Sequence, residues 1–168
     1  MEPVVSIIMG STSDLPVMEK TAQTLNDFKI PFEIHALSAH RTPEEVEKFA
    51  RGASSRGIKV IIAAAGMAAH LPGVIAAMTP VPVIGVPINA SLEGLDSIFS
   101  ILQMPPGIPV ATVGINAAQN AGILAAQIIG AGDAGVRNEV LRYKENLKRK
   151  ITEANEELKK ISFPFKTN

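Results

Sequence analysis

The sequence predicts an α/β fold built on an open parallel sheet, flavodoxin-like or Rossmann-like, with about five βα units arranged as a three-layer sandwich. Two observations predict it. The 168-residue chain holds five short apolar runs, each followed by a segment that suits a helix. From residue 60 onward these runs are continuously apolar instead of alternating, which is typical of strands covered by helices on both faces. Right-handed crossovers are therefore expected between successive strands.

The first two units occupy the amino-terminal third of the chain. Residues 4–9 predict a buried strand, and Asp14 is expected to cap the helix that follows. That helix has an apolar face made of Leu15, Met18, Ala22, Leu25 and Phe28. Residues 32–37 predict the second strand, and residues 42–45 form a capping box with proline at the first helical position.

The remaining units and a terminal helix complete the predicted domain. Strands are expected at residues 60–65, 83–86 and 110–113, followed by helices near Leu71, Leu95 and Ala117. Apolar residues spaced three and four apart then predict a long amphipathic helix over residues 136–161. We expect one α/β catalytic domain at residues 1–135, with residues 136–168 packing on it or on a neighbouring subunit.

Charge is distributed very unevenly along the chain. Its 16 basic residues balance 16 acidic ones, which argues against a nucleic-acid groove. Between Val60 and Gly132, however, only Glu93 and Asp96 are charged. A lone domain normally carries more charge on its surface, so this stretch predicts burial between subunits of a homo-oligomer.

Cysteine content and the amino terminus bear on the cellular compartment. The chain has no cysteine, which excludes disulfides and thiol nucleophiles. Residues 1–4 begin no secretory signal, and no apolar stretch is long enough to cross a membrane. We therefore expect a cytoplasmic protein with no membrane contact.

Polar clusters follow the first three predicted strands, at residues 10–14, 38–42 and 66–73. Because ligands of open parallel sheets bind beyond the carboxyl ends of the strands, these clusters are expected to meet at one rim. Hydroxyls of Ser11 and Ser13, helix-start amides and the guanidinium of Arg41 suit a phosphate, and Asp14 suits ribose hydroxyls. The alternative is that Ser13 and Asp14 only cap the helix.

Histidine supplies the candidate acid–base chemistry. His40 and His70 both follow strands at the expected rim, and an imidazole can accept and donate a proton near neutral pH. Taken singly, each could instead be a structural histidine. His35 lies inside the second strand and is expected to face solvent or pack. The spacing of histidines and carboxylates suits no metal cage, and residues 130–135 are expected to form a helix cap and linker despite their glycine pattern.

Three motifs resemble one family: Met-Gly-Ser-Thr-Ser-Asp at residues 9–14, Ser-Ala-His-Arg-Thr-Pro at 38–43 and Ala-Ala-His-Leu-Pro-Gly at 68–73. They are similar to motifs of the AIR carboxylase family of purine biosynthesis, in particular its branch of 5-(carboxyamino)imidazole ribonucleotide mutases. The resemblance implies a flavodoxin-like sheet, a homo-octamer, a small ribonucleotide substrate, no cofactor and no metal.

The resemblance also implies residue roles. His40 would shuttle the proton, Asp14 would bind the ribose, and the phosphate would lie on Ser11, Ser13 and Arg41. The imidazole and carboxylate would be surrounded by Ser38, Ala39, Gly66, Met67, His70 and Leu71. The chain departs from the pattern at Met67, where many members have a second glycine.

Two alternative functions stay open at this point. A sister branch carboxylates aminoimidazole ribonucleotide directly with carbon dioxide, but it tends to carry lysine where this chain has Arg41, so the mutase is favoured. A module that binds flavin mononucleotide would use the same phosphate turn. It would need aromatic stacking partners, whereas the chain has no tryptophan and a single tyrosine, Tyr143.

Overall fold

A computed structural model describes all residues, 1–168, and contains one five-stranded sheet flanked by helices. The strands are β1 (Val5–Met9), β2 (Phe32–Ala36), β3 (Val60–Gly66), β4 (Val83–Ile88) and β5 (Ala111–Thr112). The helices are α1 (Leu15–Asp27), α2 (Pro43–Ala53), α3 (Leu71–Ala76), α4 (Leu95–Leu102), α5 (Ala118–Gly130) and α6 (Ala134–Lys159). All pairings are parallel, in the order β2-β1-β3-β4-β5. This order is the flavodoxin-like one, so the predicted fold class is confirmed.

The sheet is covered on both faces at its centre. Successive side chains of β1 point to opposite faces, so Ile7 belongs to the core that includes residues of α1 and α5, while Ile8 belongs to the core that includes residues of α2, α3 and α4. Both isoleucines are fully buried. Two apolar cores thus form, one on each side, and give the predicted three layers.

The edges of the sheet differ from the prediction of strands buried on both faces. The expected strand over residues 110–113 shortens to Ala111 and Thr112, and Ala111 is exposed. β5 pairs only with β4, so no strand pairs with its outer edge. At the other edge, Ile34 of β2 is exposed as well.

Both predicted helix caps are wrong in detail. The Asp14 side chain accepts no capping hydrogen bond; instead Ser11 Oγ accepts one from the Ser13 N–H at 3.3 Å, which caps a 3₁₀ turn at Thr12–Asp14. Thr42 does not cap α2 either, because its hydroxyl oxygen accepts from the Ser38 N–H at 3.0 Å. Short polar side chains bond to whichever backbone group lies nearest, and here that group is in the preceding turn.

The terminal helix α6 packs on its own domain only through its first turns. It begins after Asp133, whose Oδ1 accepts from the Val136 N–H at 3.1 Å, so residues 131–133 form the predicted linker after α5. Tyr143 contacts Phe28 with ring centroids 5.5 Å apart. Farther along, the apolar side chains of Leu147, Ile151 and Leu158 are exposed. Neither α6 nor any other helix combines the length and apolarity of a membrane span.

The close contact between α1 and α5 predicts that replacing Gly122 by alanine destabilises the fold. The same replacement at Gly52, outside this contact, should stabilise it. A Cβ at Gly122 of α5 would lie 2.9 Å from Thr24 Cβ and 3.3 Å from Thr21 O, whereas a Cβ at Gly52 of α2 would meet nothing within 4 Å. Gly122→Ala should therefore lower the free energy of unfolding by about 1–3 kcal/mol. Gly52→Ala should raise it by up to about 1 kcal/mol. Urea unfolding at fixed protein concentration checks both, and a stabilised Gly122→Ala would contradict the packing described.

Candidate active site

A cleft of about 390 Å³ lies where the loops after β1, β2 and β3 meet. Its lining includes every residue that the sequence assigned to the site: Ser11, Ser13, Asp14, Ser38, Ala39, His40, Arg41, Gly66, Met67, His70 and Leu71. Four further residues line it: Gly10, Ala65, Ala68 and Ala90. The parallel register explains the convergence, because Met9 at the end of β1 lies opposite both Ala36 of β2 and Ala64 of β3.

Two histidines touch inside this cleft although they are 30 residues apart in the chain. His40 Nε2 lies 2.7 Å from His70 Nδ1, with the rings nearly perpendicular at 84°. Such a hydrogen bond needs one N–H and one lone pair, so it forms between two neutral imidazoles or between one imidazolium and one neutral ring. Two imidazoliums would place two donors face to face. The contact therefore suits a pair that holds and releases one extra proton.

Arg41 ties the loop after β2 to the turn after β1. Its Nη2 donates to the Gly10 carbonyl, and its Nε donates to Ser38 Oγ at 3.3 Å. The same hydroxyl oxygen accepts from the Arg41 backbone N–H at 3.2 Å. The guanidinium is thus held at the mouth of the cleft, while its Nη1 group makes no hydrogen bond within the chain.

Asp14 is the one buried carboxylate of the cleft, with 8% of its surface exposed. Burial raises the pKa of this carboxyl, because the charged form loses water. Hydrogen bonds from Ser13 and from the backbone at Ser11, and attraction to Arg41, lower it by less. The Ser13 hydroxyl donates to Asp14 Oδ1 at 3.3 Å. Asp14 is thus the carboxylate of the cleft, and carboxylate oxygens can accept hydrogen bonds from the hydroxyls of a ligand.

Four alanines, Ala39, Ala65, Ala68 and Ala90, contribute small apolar side chains to the cleft, and we term them the alanine wall. Gly66 lets the ends of β3 and β4 approach closely, since a Cβ there would lie 2.9 Å from Ala90 Cβ. Sequence reasoning missed Ala90. The available signal was the position of Ala90 just after β4, the neighbour of β3. A methyl group has no acid–base or hydrogen-bonding chemistry, so Ala90 was not predicted as a site residue.

The rest of the surface offers no comparable group of side chains. A larger open groove of about 730 Å³ runs along α1 and is lined mainly by polar residues without histidine. His35 lies on β2 outside the cleft, where its Nε2 is 3.2 Å from Glu33 Oε2 and its ring packs on Phe49. No three His, Asp or Glu side chains gather in a way that could hold a metal ion.

A flavodoxin-like sheet with a histidine pair and an arginine at its rim is typical of an enzyme that acts on a small molecule. Comparison with known proteins identifies the family. Residues 4–150 match the model of the AIR carboxylase family, so the chain belongs to that family, as the motifs predicted. N5-carboxyaminoimidazole ribonucleotide mutase of Thermotoga maritima is 55% identical over 162 residues, covering 96% of this chain and 95% of the relative. Phosphoribosylaminoimidazole carboxylase of Schizosaccharomyces pombe is 52% identical over 96% of this chain but only 29% of the relative.

Solved structures agree with this assignment. The crystal structure of Treponema denticola PurE superimposes with a TM-score of 0.83 at 34% sequence identity. The match covers 94% of this chain and 99% of the solved chain. The fold and nearly the full length of the chain are therefore shared with that protein.

The burial of Asp14 predicts a pH-dependent gain in stability for Asp14→Asn. Because the pKa of Asp14 is raised in the folded chain above its ordinary 3.8, the folded state binds that proton more tightly than the unfolded state does. The contribution of Asp14 to stability therefore falls as pH rises from about the unfolded value through the folded one. An asparagine side chain at this position has no charge, so its burial brings no such pH-dependent loss.

Urea unfolding of both proteins at pH 7 and at pH 3 tests this expectation. Asp14→Asn should be more stable than the wild type at pH 7, and the difference should shrink at pH 3. A variant less stable than the wild type at pH 7 and equal to it at pH 3 would show that the ionised carboxylate stabilises the fold instead.

Proposed function

We propose that the protein is a mutase that converts 5-(carboxyamino)imidazole ribonucleotide to 4-carboxy-5-aminoimidazole ribonucleotide in purine biosynthesis. The observation that carries the proposal is the 2.7 Å contact between His40 and His70 inside the cleft. A single imidazole that alternates between acid and base is what a carboxylate shift within one ring system requires. The mutase names of relatives at 50–57% identity support the same activity.

The polar mouth of the cleft would hold the ribonucleotide. Ser11 and Ser13 lie at the turn before α1, and the held guanidinium of Arg41 would supply the positive charge for the phosphate. Asp14 would accept hydrogen bonds from the ribose hydroxyls. These contacts would fix the sugar phosphate at one end and leave the imidazole ring beside His40 and the alanine wall.

The reaction follows from the positions of the carboxylate before and after it. The imidazolium of His40 would protonate the exocyclic nitrogen while the carbamate C–N bond breaks, and the bonding electrons go to nitrogen as carbon dioxide leaves. The aminoimidazole ring, electron-rich at the adjacent carbon, would then attack carbon dioxide through that carbon. Neutral His40 would remove the proton from the newly substituted carbon, which restores the aromatic ring and the imidazolium.

His70 would act as a positioning residue in this cycle. In either protonation state of His40, His70 Nδ1 can complete the hydrogen bond by accepting or donating, so the His40 ring keeps its orientation through both proton transfers. The alanine wall would offer the carbon dioxide intermediate an apolar surface without groups that promote its hydration. The mechanism needs no metal, nucleotide triphosphate or other cofactor, and this independence stays a prediction that activity in chelator would check.

Direct carboxylation of aminoimidazole ribonucleotide is the second candidate activity. The same cleft and the same ring-carbon attack would serve it, and the fungal relative carries a carboxylase name. The flavin alternative has less support, because no Phe, Tyr or Trp lines the cleft to stack on an isoalloxazine ring. Substrate preference therefore separates the two remaining interpretations of the site.

Turnover of the carboxyamino substrate tests the proposal, with His40→Asn as the diagnostic variant. We expect the wild type to convert this substrate in chelator without bicarbonate, and to use aminoimidazole ribonucleotide plus bicarbonate far more slowly. His40→Asn should abolish turnover while ribonucleotide affinity stays within about tenfold, or about 1.4 kcal/mol. His35→Asn, outside the cleft, is the matched control and should keep full activity. Faster turnover of aminoimidazole ribonucleotide would favour the carboxylase activity. Activity in His40→Asn would contradict the proposed role of His40 as the proton shuttle.

We further propose that the protein works as a homo-oligomer, an octamer by family resemblance. Within the nearly uncharged region of the sequence, α4 exposes Leu95, Phe99 and Leu102, which are 50%, 54% and 54% accessible. Leu92, just before α4, is 72% accessible. Contiguous apolar side chains of this size normally lie against another protein surface, and a second copy of this chain is the proposed occupant. The proposed partners of the chain are therefore its substrate and further copies of itself. We expect the assembled enzyme to lie in the cytoplasm.

A charged residue on the exposed face of α4 should disrupt this assembly. Light scattering of the wild type should give a mass several times that of the 17.8 kDa chain. Phe99→Glu should shift the population to smaller species, because a buried unpaired carboxylate opposes association. Lys48→Glu, on the exposed surface of α2, is the control and should leave the mass unchanged. A monomeric wild type at micromolar concentration would contradict the proposal.

A further inference from the structure

Met67 is the one non-glycine residue of the cleft with a left-handed backbone. Its φ is 55°, and it lies in the loop between β3 and α3, directly after Gly66. In this region the Cβ crowds the backbone, so an ordinary side chain destabilises the conformation relative to glycine. Nothing else in the fold obliges a side chain to be there, because Met67 is 60% exposed. A strained and exposed residue in a binding cleft points to a role in function.

Met67 also differs from the other apolar residues of the cleft in what its side chain can do. The alanine wall offers only methyl groups, and Leu71 is 3% exposed and already packed into the core under α3. Among the apolar residues of the cleft, Met67 alone combines a long side chain with exposure to solvent. Its unbranched, polarizable thioether adapts to irregular surfaces such as the face of a bound ring.

We propose that the Met67 side chain covers the imidazole end of the bound substrate and retains carbon dioxide between its release and its recapture. This inference rests on the proposed mutase activity. During that interval the C–N bond has broken, the proton from His40 is on nitrogen, and carbon dioxide has no covalent link to the ring. The alanine wall bounds it from within the cleft, and Met67 closes the side towards solvent.

The proposal explains why a left-handed methionine persists at this position. Glycine would relieve the backbone strain but would leave the solvent side of the cleft open. Alanine would keep most of the strain and offer only a methyl group. Leucine would keep both the strain and most of the apolar cover. The three substitutions Met67→Gly, Met67→Ala and Met67→Leu therefore separate the role of the side chain from that of the backbone.

Isotope retention is the readout that a merely structural role would not change. The substrate carries ¹³C in its carboxyamino group, the buffer holds excess unlabelled bicarbonate, and mass spectrometry measures the fraction of labelled product and the amount of free aminoimidazole ribonucleotide. We expect the wild type and Met67→Leu to retain nearly all of the label. Met67→Ala and Met67→Gly should each lose a several-fold larger fraction and release free aminoimidazole ribonucleotide. The urea midpoint of Met67→Gly should lie above that of Met67→Ala, because glycine alone relieves the strain.

The possible outcomes distinguish this inference from the activity on which it rests. Equal retention in the wild type and all three variants overturns the role of Met67 and leaves the mutase intact. Loss of label in Met67→Leu equal to that in Met67→Ala also overturns it, because apolar cover would then not matter. A wild type that forms no product from the labelled substrate overturns the mutase activity, and the inference with it.

Discussion

The parallel pairing of β1 with both β2 and β3 is the constraint on which the site depends. Parallel strands end on the same side of a sheet, so the three loops that follow them must share one rim. The register aligns the ends of the three strands, since Met9 is paired with Ala36 on one side and with Ala64 on the other. His40 and His70 lie in the loops that follow these two flanking strands, so the register brings both loops to the same rim. A shift of either strand in the sheet would separate the two imidazoles without changing any residue of the site.

The cleft is lined by a polar group and an apolar group of residues, and the two groups match the two ends of the proposed substrate. Arg41 and Asp14 lie with the serine hydroxyls, where phosphate and ribose would bind. The alanine wall and Met67 lie where carbon dioxide would be held. Two residues of the cleft carry local energetic costs: burial raises the pKa of Asp14, and the backbone of Met67 is left-handed. Such local costs are typical of functional sites on otherwise stable folds.

Much of this arrangement was predictable from the sequence because it depends on periodicity and on strand ends. Continuous apolar runs identified the central strands, and the polar clusters after them identified the serine, aspartate, arginine and histidine candidates. The family resemblance supplied the other assigned residues of the cleft, namely Ser38, Ala39, Gly66, Met67 and Leu71. The family resemblance is confirmed, while the individual residue roles stay predictions. The details that sequence reasoning missed depend on local competition or on edges. Asp14 was expected to cap α1 but makes no capping bond, whereas Ser11 caps the 3₁₀ turn before that helix. Thr42 bonds back to Ser38, and the edge strand β5 shrinks to two residues.

The contact distance between the histidines and the left-handed turn at Met67 lay beyond sequence reasoning for a different reason. Both depend on the exact path of loops, which periodicity does not encode. A motif can place His40 and His70 on one rim, but only the folded chain brings their nitrogens to 2.7 Å. Likewise, a methionine after Gly66 is visible in the sequence, whereas its strain is visible only in the backbone.

The most direct test of the central claim is a crystal structure of the protein with its product ribonucleotide bound. The phosphate should lie on Ser11, Ser13 and Arg41, with the imidazole ring within hydrogen-bond distance of His40 and the carboxylate against the alanine wall. A ribonucleotide bound in the groove along α1, or one whose ring points away from the histidine pair, would contradict the account.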